Sequence, residues 1–128
     1  MDQVTGNPNK KKIMLCVPVG EEHHLGCDVL ETYLSIKGFK VYNMGTSIPT
    51  GAILSFIESN KPDTVLVSIT LEDNIPAGQR LVKRIKEHHN IPILVGGFAL
   101  QSKKPHKFEA TVISDITLEE IPKIIRTA

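Results

Sequence analysis

Residues 64–97 read TVLVSITLEDNIPAGQRLVKRIKEHHNIPILVGG, and the fold is decided here. Thr64 to Thr70 is a run rich in β-branched residues and suits a strand. Asp73-Asn74-Ile75-Pro76 is a helix start signal, and Leu81, Val82 and Ile85 share one face of a helix running to about His88. Ile91-Pro92-Ile93-Leu94-Val95 is a second apolar run, stopped by Gly96-Gly97. A strand, a helix and a strand in this order imply parallel strands joined by a crossover helix.

The same alternation extends in both directions. Upstream, Ile13 to Val19 is a short apolar run ending at Gly20, as expected of a strand buried on both faces. Apolar residues then recur at Leu25, Val29, Leu30, Tyr33, Leu34 and Ile36, the spacing of a helix that Lys37-Gly38 closes. Lys40 to Met44 is a further strand, and Thr50 is the expected N-cap of a helix through Ile53, Phe56 and Ile57 to Asn60. Downstream, one helical turn is expected within the polar stretch Gln101 to Lys107, and a fifth strand at Ala110 to Ser114. Thr117 with Glu120 three residues later forms a capping box for a last helix carrying Ile121, Ile124 and Ile125. The expected class is α/β: a doubly wound five-stranded parallel sheet, flavodoxin-like (Rossmann-like), in the order 2-1-3-4-5. Residues 1–11 lack hydrophobic periodicity and are expected to form a flexible leader, leaving 12–128 as one domain.

Composition narrows the function. The 128 residues are 41% hydrophobic and 23% charged, an ordinary globular balance. Fifteen Lys and Arg against fourteen Asp and Glu leave a formal charge of +1, no footprint for direct binding of nucleic acid or of an anionic membrane. The apolar runs are too short to span a bilayer. Cys16 and Cys27 cannot build a disulfide framework and lack metal-ligand spacing. They read as buried thiols in a reducing compartment, and a cytoplasmic location is expected.

In a doubly wound sheet, ligands bind outside the carboxyl ends of the strands, near the point where strand order reverses. Three loops meet there: Gly20 to Gly26, Ser68 to Asn74, and Gly96 to Leu100. The first reads Gly20-Glu21-Glu22-His23-His24-Leu25-Gly26. A carboxylate two residues before a histidine can hydrogen-bond the imidazole, fix its tautomer and raise the basicity of the other nitrogen. Such a ring suits a metal already held by something else. Taken alone, His23 also reads as a surface histidine in an acidic loop, Ser68 as a strand hydroxyl and Gly96-Gly97 as a strand-ending turn.

Taken together, the motifs resemble a known family. Glu21-x-His23-x-x-Gly26 is similar to the Asp-x-His-x-x-Gly signature of cobalamin-binding domains, with Glu21 where most of that family has Asp. After 41 residues comes Ser68-x-Thr70, and after 25 more Gly96-Gly97, which resemble the family's Ser-x-Leu or Ser-x-Thr and Gly-Gly motifs. The Gly-Glu-x-His-x-Leu-Gly form is similar to that of light-sensing and cobalamin-sensing regulators. The resemblance implies cobalamin as cofactor, in its methyl-, adenosyl- or hydroxo- form, bound base-off with His23 as the lower axial cobalt ligand. It implies that Glu21 takes the proton of the other ring nitrogen and that Ser68 extends this relay. It further implies that Gly26, Ser68, Thr70, Gly96 and Gly97 line a slot for the nucleotide tail. No catalytic residue is assigned.

Two classes of function follow. One is a stand-alone module acting with a partner, as a sensor, photoreceptor or cofactor carrier. The other is the cobalamin-carrying subunit of a corrinoid methyltransferase or an adenosylcobalamin-dependent mutase. In both, a protein partner or fused domain is expected to cover the upper corrin face, and the chain is not a complete enzyme alone. A receiver-like domain is the third option, but Ser68-Ile69-Thr70 lacks the phospho-acceptor Asp that it needs.

Overall fold

A computed structural model describes residues 10–101, 106–114 and 117–127. Its strands are β1 (Lys12–Cys16), β2 (Lys40–Asn43), β3 (Thr64–Ser68), β4 (Ile93–Gly96) and β5 (Thr111–Val112). Its helices are α1 (Leu25–Ile36), α2 (Thr50–Asn60), α3 (Ile75–His88) and α4 (Ile121–Thr127). All strand pairs are parallel and the order is β2-β1-β3-β4-β5, as the alternation predicts. Residues 1–9 of the expected leader and residues 102–105 lie outside the described residues; Lys11, the leader's last residue, instead joins the fold, its carbonyl accepting the Lys40 N–H at 2.9 Å. Among the described residues, no helix is long and apolar enough to cross a membrane.

The two faces of the sheet build two cores, because successive side chains on a strand point to opposite sides. Met14, Cys16, Val65, Val67 and Val95 pack against Ile53 and Ile57 of α2 and Leu81, Val82 and Ile85 of α3. Ile13, Leu15, Leu66 and Leu94 pack against Cys27 and Leu34 of α1 and Ile121 and Ile125 of α4. Burying each of these large side chains stabilises the fold by about 1.5–3 kcal/mol.

The boundaries differ from the sequence expectation where backbone chemistry intervenes. β1 stops at Cys16 rather than Val19: Pro18 has no N–H, and its carbonyl accepts the N–H of Glu21 at 3.0 Å, so the chain turns. β4 begins after Pro92 for the same lack of a donor. Thr50 is the first residue of α2 rather than its cap; the carbonyl of Pro49 accepts the N–H groups of Ala52 and Ile53 at 3.0 and 3.1 Å. β5 is only two exposed residues at the edge of the sheet. A 3-10 turn occupies Phe98–Gln101, ahead of the stretch expected to hold one. The capping box is present: the Glu120 carboxylate accepts the Thr117 N–H at 3.4 Å and its hydroxyl at 3.2 Å.

The cysteines are free and buried in different cores. Burial, with the neighbouring Asp28 charge, pushes the Cys27 thiol up to about 11, and burial pushes Cys16 higher still. Because the thiolate is the nucleophile, the folded protein is expected to resist iodoacetamide at pH 8 at both positions. Both become alkylated after unfolding in guanidinium; mass spectrometry reads the difference, and rapid modification of the native chain would contradict this packing.

Candidate cofactor site

The centre of the site is a buried carboxylate. Glu21 is 1% exposed, and its two oxygens are held by separate partners. One accepts the backbone N–H groups of Thr70 at 2.7 Å and Leu71 at 3.1 Å. The other lies 2.9 Å from Nδ1 of His23 and also accepts the His23 backbone N–H at 3.4 Å. Gly20, at φ +96°, makes the turn that swings Glu21 inward. Burial on its own would raise the Glu21 pKa. The hydrogen bonds from the His23 side chain, Leu71, Thr70 and the His23 backbone outweigh it and hold the carboxyl below the ordinary glutamate value. An ionised carboxylate facing Nδ1 assigns the ring proton to that nitrogen and leaves the Nε2 lone pair free. The His23 side chain is 54% exposed, so Nε2 is available to a ligand.

His24, itself exposed, forms a second pair. Its Nδ1 lies 2.7 Å from an Asp28 oxygen. The other Asp28 oxygen accepts Nδ2 of Asn43, at the end of β2, at 2.8 Å, and the same amide reaches Glu31 at 3.1 Å. The bond from His24, then that from Asn43, holds the Asp28 carboxyl below its ordinary value. The signal was legible: His24 and Asp28 are four apart at the start of a helix.

The remaining predicted residues divide by face. Ser68, Gly26 and Gly96 lie on the α1 side of the sheet. A Cβ on Gly26 would sit 3.6 Å from the Ser68 hydroxyl, and one on Gly96 would press to 2.9 Å from Ile113. The Glu21 oxygen that does not face His23 is taken by the Thr70 and Leu71 amides, so the relay expected from Glu21 to Ser68 is not formed in this structure. Thr70 serves Glu21 through its backbone N–H. Gly97 has its own reason to be glycine: φ is +115°, and a Cβ would collide with the Ile69 carbonyl and lie 2.7 Å from the Ile69 nitrogen. That close approach to the backbone beyond β3 explains the residue without a slot.

Four large apolar side chains are exposed at this end of the sheet, beside the acidic Glu22, Glu72 and Asp73. Val19, Leu25, Leu71 and Phe98, which follow the carboxyl ends of β1, β3 and β4, are 55%, 74%, 47% and 73% exposed. Beside them opens a cavity of about 750 Å³ lined by Thr70, Leu71, Glu72, Asp73, Phe98, Ala99 and Gln101. Among the described residues, no cluster of three or more His, Cys, Asp or Glu could hold a metal ion. His23 is therefore one donor, fit for a metal that arrives with its other positions filled. A metal set in a flat macrocycle meets that description, and the exposed apolar side chains suit the broad faces of such a ring.

This arrangement defines a doubly wound α/β domain with a carboxylate-braced, solvent-accessible imidazole at its switch point. The family model described as B12 binding domain matches residues 11–120, and the chain belongs to that family, with cobalamin as its cofactor. The chain is 22% identical over 108 residues to the trimethylamine corrinoid protein of Methanosarcina barkeri, covering 82% of this chain and 50% of that one. It thus spans about half the length of that relative. A cobalamin-binding protein from Desulfitobacterium hafniense superposes with TM-score 0.76 at 20% identity, over 93% of this chain and 59% of that one. A methanol:cobalamin methyltransferase complex from M. barkeri superposes with TM-score 0.79 at 20% identity, over 98% and 49%.

Glu21→Gln removes the charge from these hydrogen bonds and is expected to lower the unfolding free energy of the cobalamin-free protein by about 1–3 kcal/mol. Glu21→Asp, one methylene shorter, cannot reach both His23 and the Thr70 and Leu71 amides, and is expected to fall between. Urea denaturation checks the order; wild-type stability in Glu21→Gln would contradict the role of the carboxylate.

Proposed function

We propose that this domain binds cobalamin base-off, with Nε2 of His23 as the lower axial ligand, and presents the cofactor to a protein that covers its upper face. The observation that carries the reading is the 2.9 Å pair between Glu21 and His23, anchored in turn on the β3 loop. Glu21 holds the Nδ1 proton, orients the ring and makes Nε2 a better donor. The exposed Val19, Leu25, Leu71 and Phe98 give the corrin an apolar bed and exclude water beneath it. Gly26 and Ser68 put only small groups on the α1 side of the β3 end, where a nucleotide tail would lie, while Ile113 covers Gly96 and would have to move to admit it. When bound, cobalamin supplies the exchangeable upper ligand and the cobalt chemistry.

The relatives' names favour the carrier reading over the sensor reading: one is a trimethylamine corrinoid protein, and one neighbour is a complex with a methyltransferase. On this reading the chain is the cobalamin-bearing part of a methyl-transfer system, and the substrate site belongs to another protein or domain.

The test is reconstitution with hydroxocobalamin, desalting and reduction to the cobalt(II) form. Protein uniformly labelled with nitrogen-15 and loaded with unlabelled cofactor is expected to show each cobalt line split into a doublet in the electron paramagnetic resonance spectrum, the mark of a protein nitrogen. A triplet would mean that the cofactor's own base stays on cobalt and would overturn base-off binding. His23→Ala is expected to lose the doublet while keeping the fold by circular dichroism. Gly26→Leu, whose Cβ meets only an ordinary contact, is expected to melt like wild type yet retain at least tenfold less cobalamin after desalting, because the larger side chain enters the path of the tail. Undiminished retention would remove Gly26 from the site.

A further inference from the structure

The loop that carries His23 is fastened on both sides, and the two fastenings reach different strands. Upstream, Glu21 is tied to the N–H groups of Thr70 and Leu71, which follow β3. Downstream, His24 is tied to Asp28, and Asp28 to Asn43 at the end of β2. β2 and β3 are the two neighbours of β1 in the sheet, so His23 hangs between struts from either side.

His24 is committed to this second strut. It occupies the N-cap position of α1 but makes no side-chain bond to the helix N–H groups. Its carbonyl accepts the Asp28 N–H at 3.0 Å while its ring takes the Asp28 carboxylate. Asn43 spends its whole side chain on the junction: the amide nitrogen serves Asp28 and Glu31, and the oxygen accepts the Gly45 N–H at 3.2 Å. The amide thus lies between two carboxylates that would otherwise repel each other, and its donor satisfies both. Residues 23 and 24 share one peptide plane, so fixing His24 limits the orientations open to the His23 backbone.

We infer that the His24–Asp28–Asn43 chain is a positioning device for His23: it sets the direction of the ligand imidazole and so decides the competition for cobalt between that ring and the cofactor's own base. The inference rests on the proposed axial role of His23. The Asn43 side chain hydrogen-bonds Asp28, Glu31 and Gly45 and not His23, Glu21, Thr70 or Leu71, so an effect of Asn43 on cobalt ligation is expected to pass through the chain.

The experiment uses full-length, nitrogen-15-labelled protein loaded with unlabelled cobalamin. The ratio of doublet to triplet is read in the cobalt(II) spectrum, with a thermal melt on the same samples. Asn43→Ala is expected to raise the triplet fraction roughly threefold, the scale on which an exposed polar network shifts an equilibrium. Asn43→Gln, which keeps the amide, is expected to restore most of the wild-type ratio. Asn43→Asp, which sets a third carboxylate beside Asp28 and Glu31, is expected to be at least as disruptive as Asn43→Ala. A purely structural Asn43 would lower the melting temperature and leave the ratio unchanged, and that result overturns the inference while leaving the function intact. A triplet in the wild type itself overturns the axial role of His23 and this inference with it.

Discussion

A single ionised carboxylate buried at the end of a sheet is costly unless every lone pair finds a donor. Glu21 meets that condition with two loops at once. The donors on its first oxygen come from the chain after β3, and those on its second come from His23, two residues ahead of it. The carboxylate is thus both a structural staple between neighbouring loops and the group that sets the state of the imidazole. Neither role can be relaxed without the other: swinging Glu21 toward water to free the ring would leave the Thr70 and Leu71 amides without their partner.

That staple works because of strand order. β1 lies between β2 and β3; the crossover from β1 runs back to β2, whereas that from β3 runs the opposite way to β4. The cleft that forms at such a reversal lies between the carboxyl ends of β1 and β3, and the loop after β1 borders it. Glu21 reaches toward β3, and the Asp28–Asn43 pair reaches toward β2. The fold therefore supplies, by topology alone, two rigid anchors for the one loop that carries the candidate ligand.

Much of this was legible because the signals were local. The α1 helix, the Pro76 start of α3 and the Thr117–Glu120 box each depend on residues close in sequence, and each stands in the structure, although Leu25, Val29 and Ile36 of the α1 pattern are exposed and Cys27 is buried with Leu34 instead. The spacing from Glu21 to His23 likewise predicted their hydrogen bond. What escaped was set by distant backbone. Nothing in Ser68-Ile69-Thr70 says that Thr70 offers its amide rather than its hydroxyl to Glu21. Gly97 resembled a slot residue, yet its requirement comes from Ile69, 28 positions earlier in the chain. β5 was expected to be longer because Ala110 to Ser114 has strand composition; as an edge strand with one neighbour, it pairs only at Thr111 and Val112.

An exposed imidazole braced at Nδ1 does not by itself select a cofactor, since any borderline metal with an open site would bind it weakly. Selectivity has to come from the surroundings. Val19, Leu25, Leu71 and Phe98, four large apolar side chains, stand in water at the carboxyl end of the sheet, at positions where polar residues would cost nothing to place. Covering even half of that surface returns about 25 cal/mol for each Å² removed from water, which a hydrated ion cannot do and a broad, largely apolar macrocycle can. A lone donor of this kind favours a centre that lacks a single ligand. On the proposed reading affinity and identity are divided accordingly: the exposed apolar side chains would recognise the body of the cofactor, and the Glu21–His23 pair would set the electronic state of its metal.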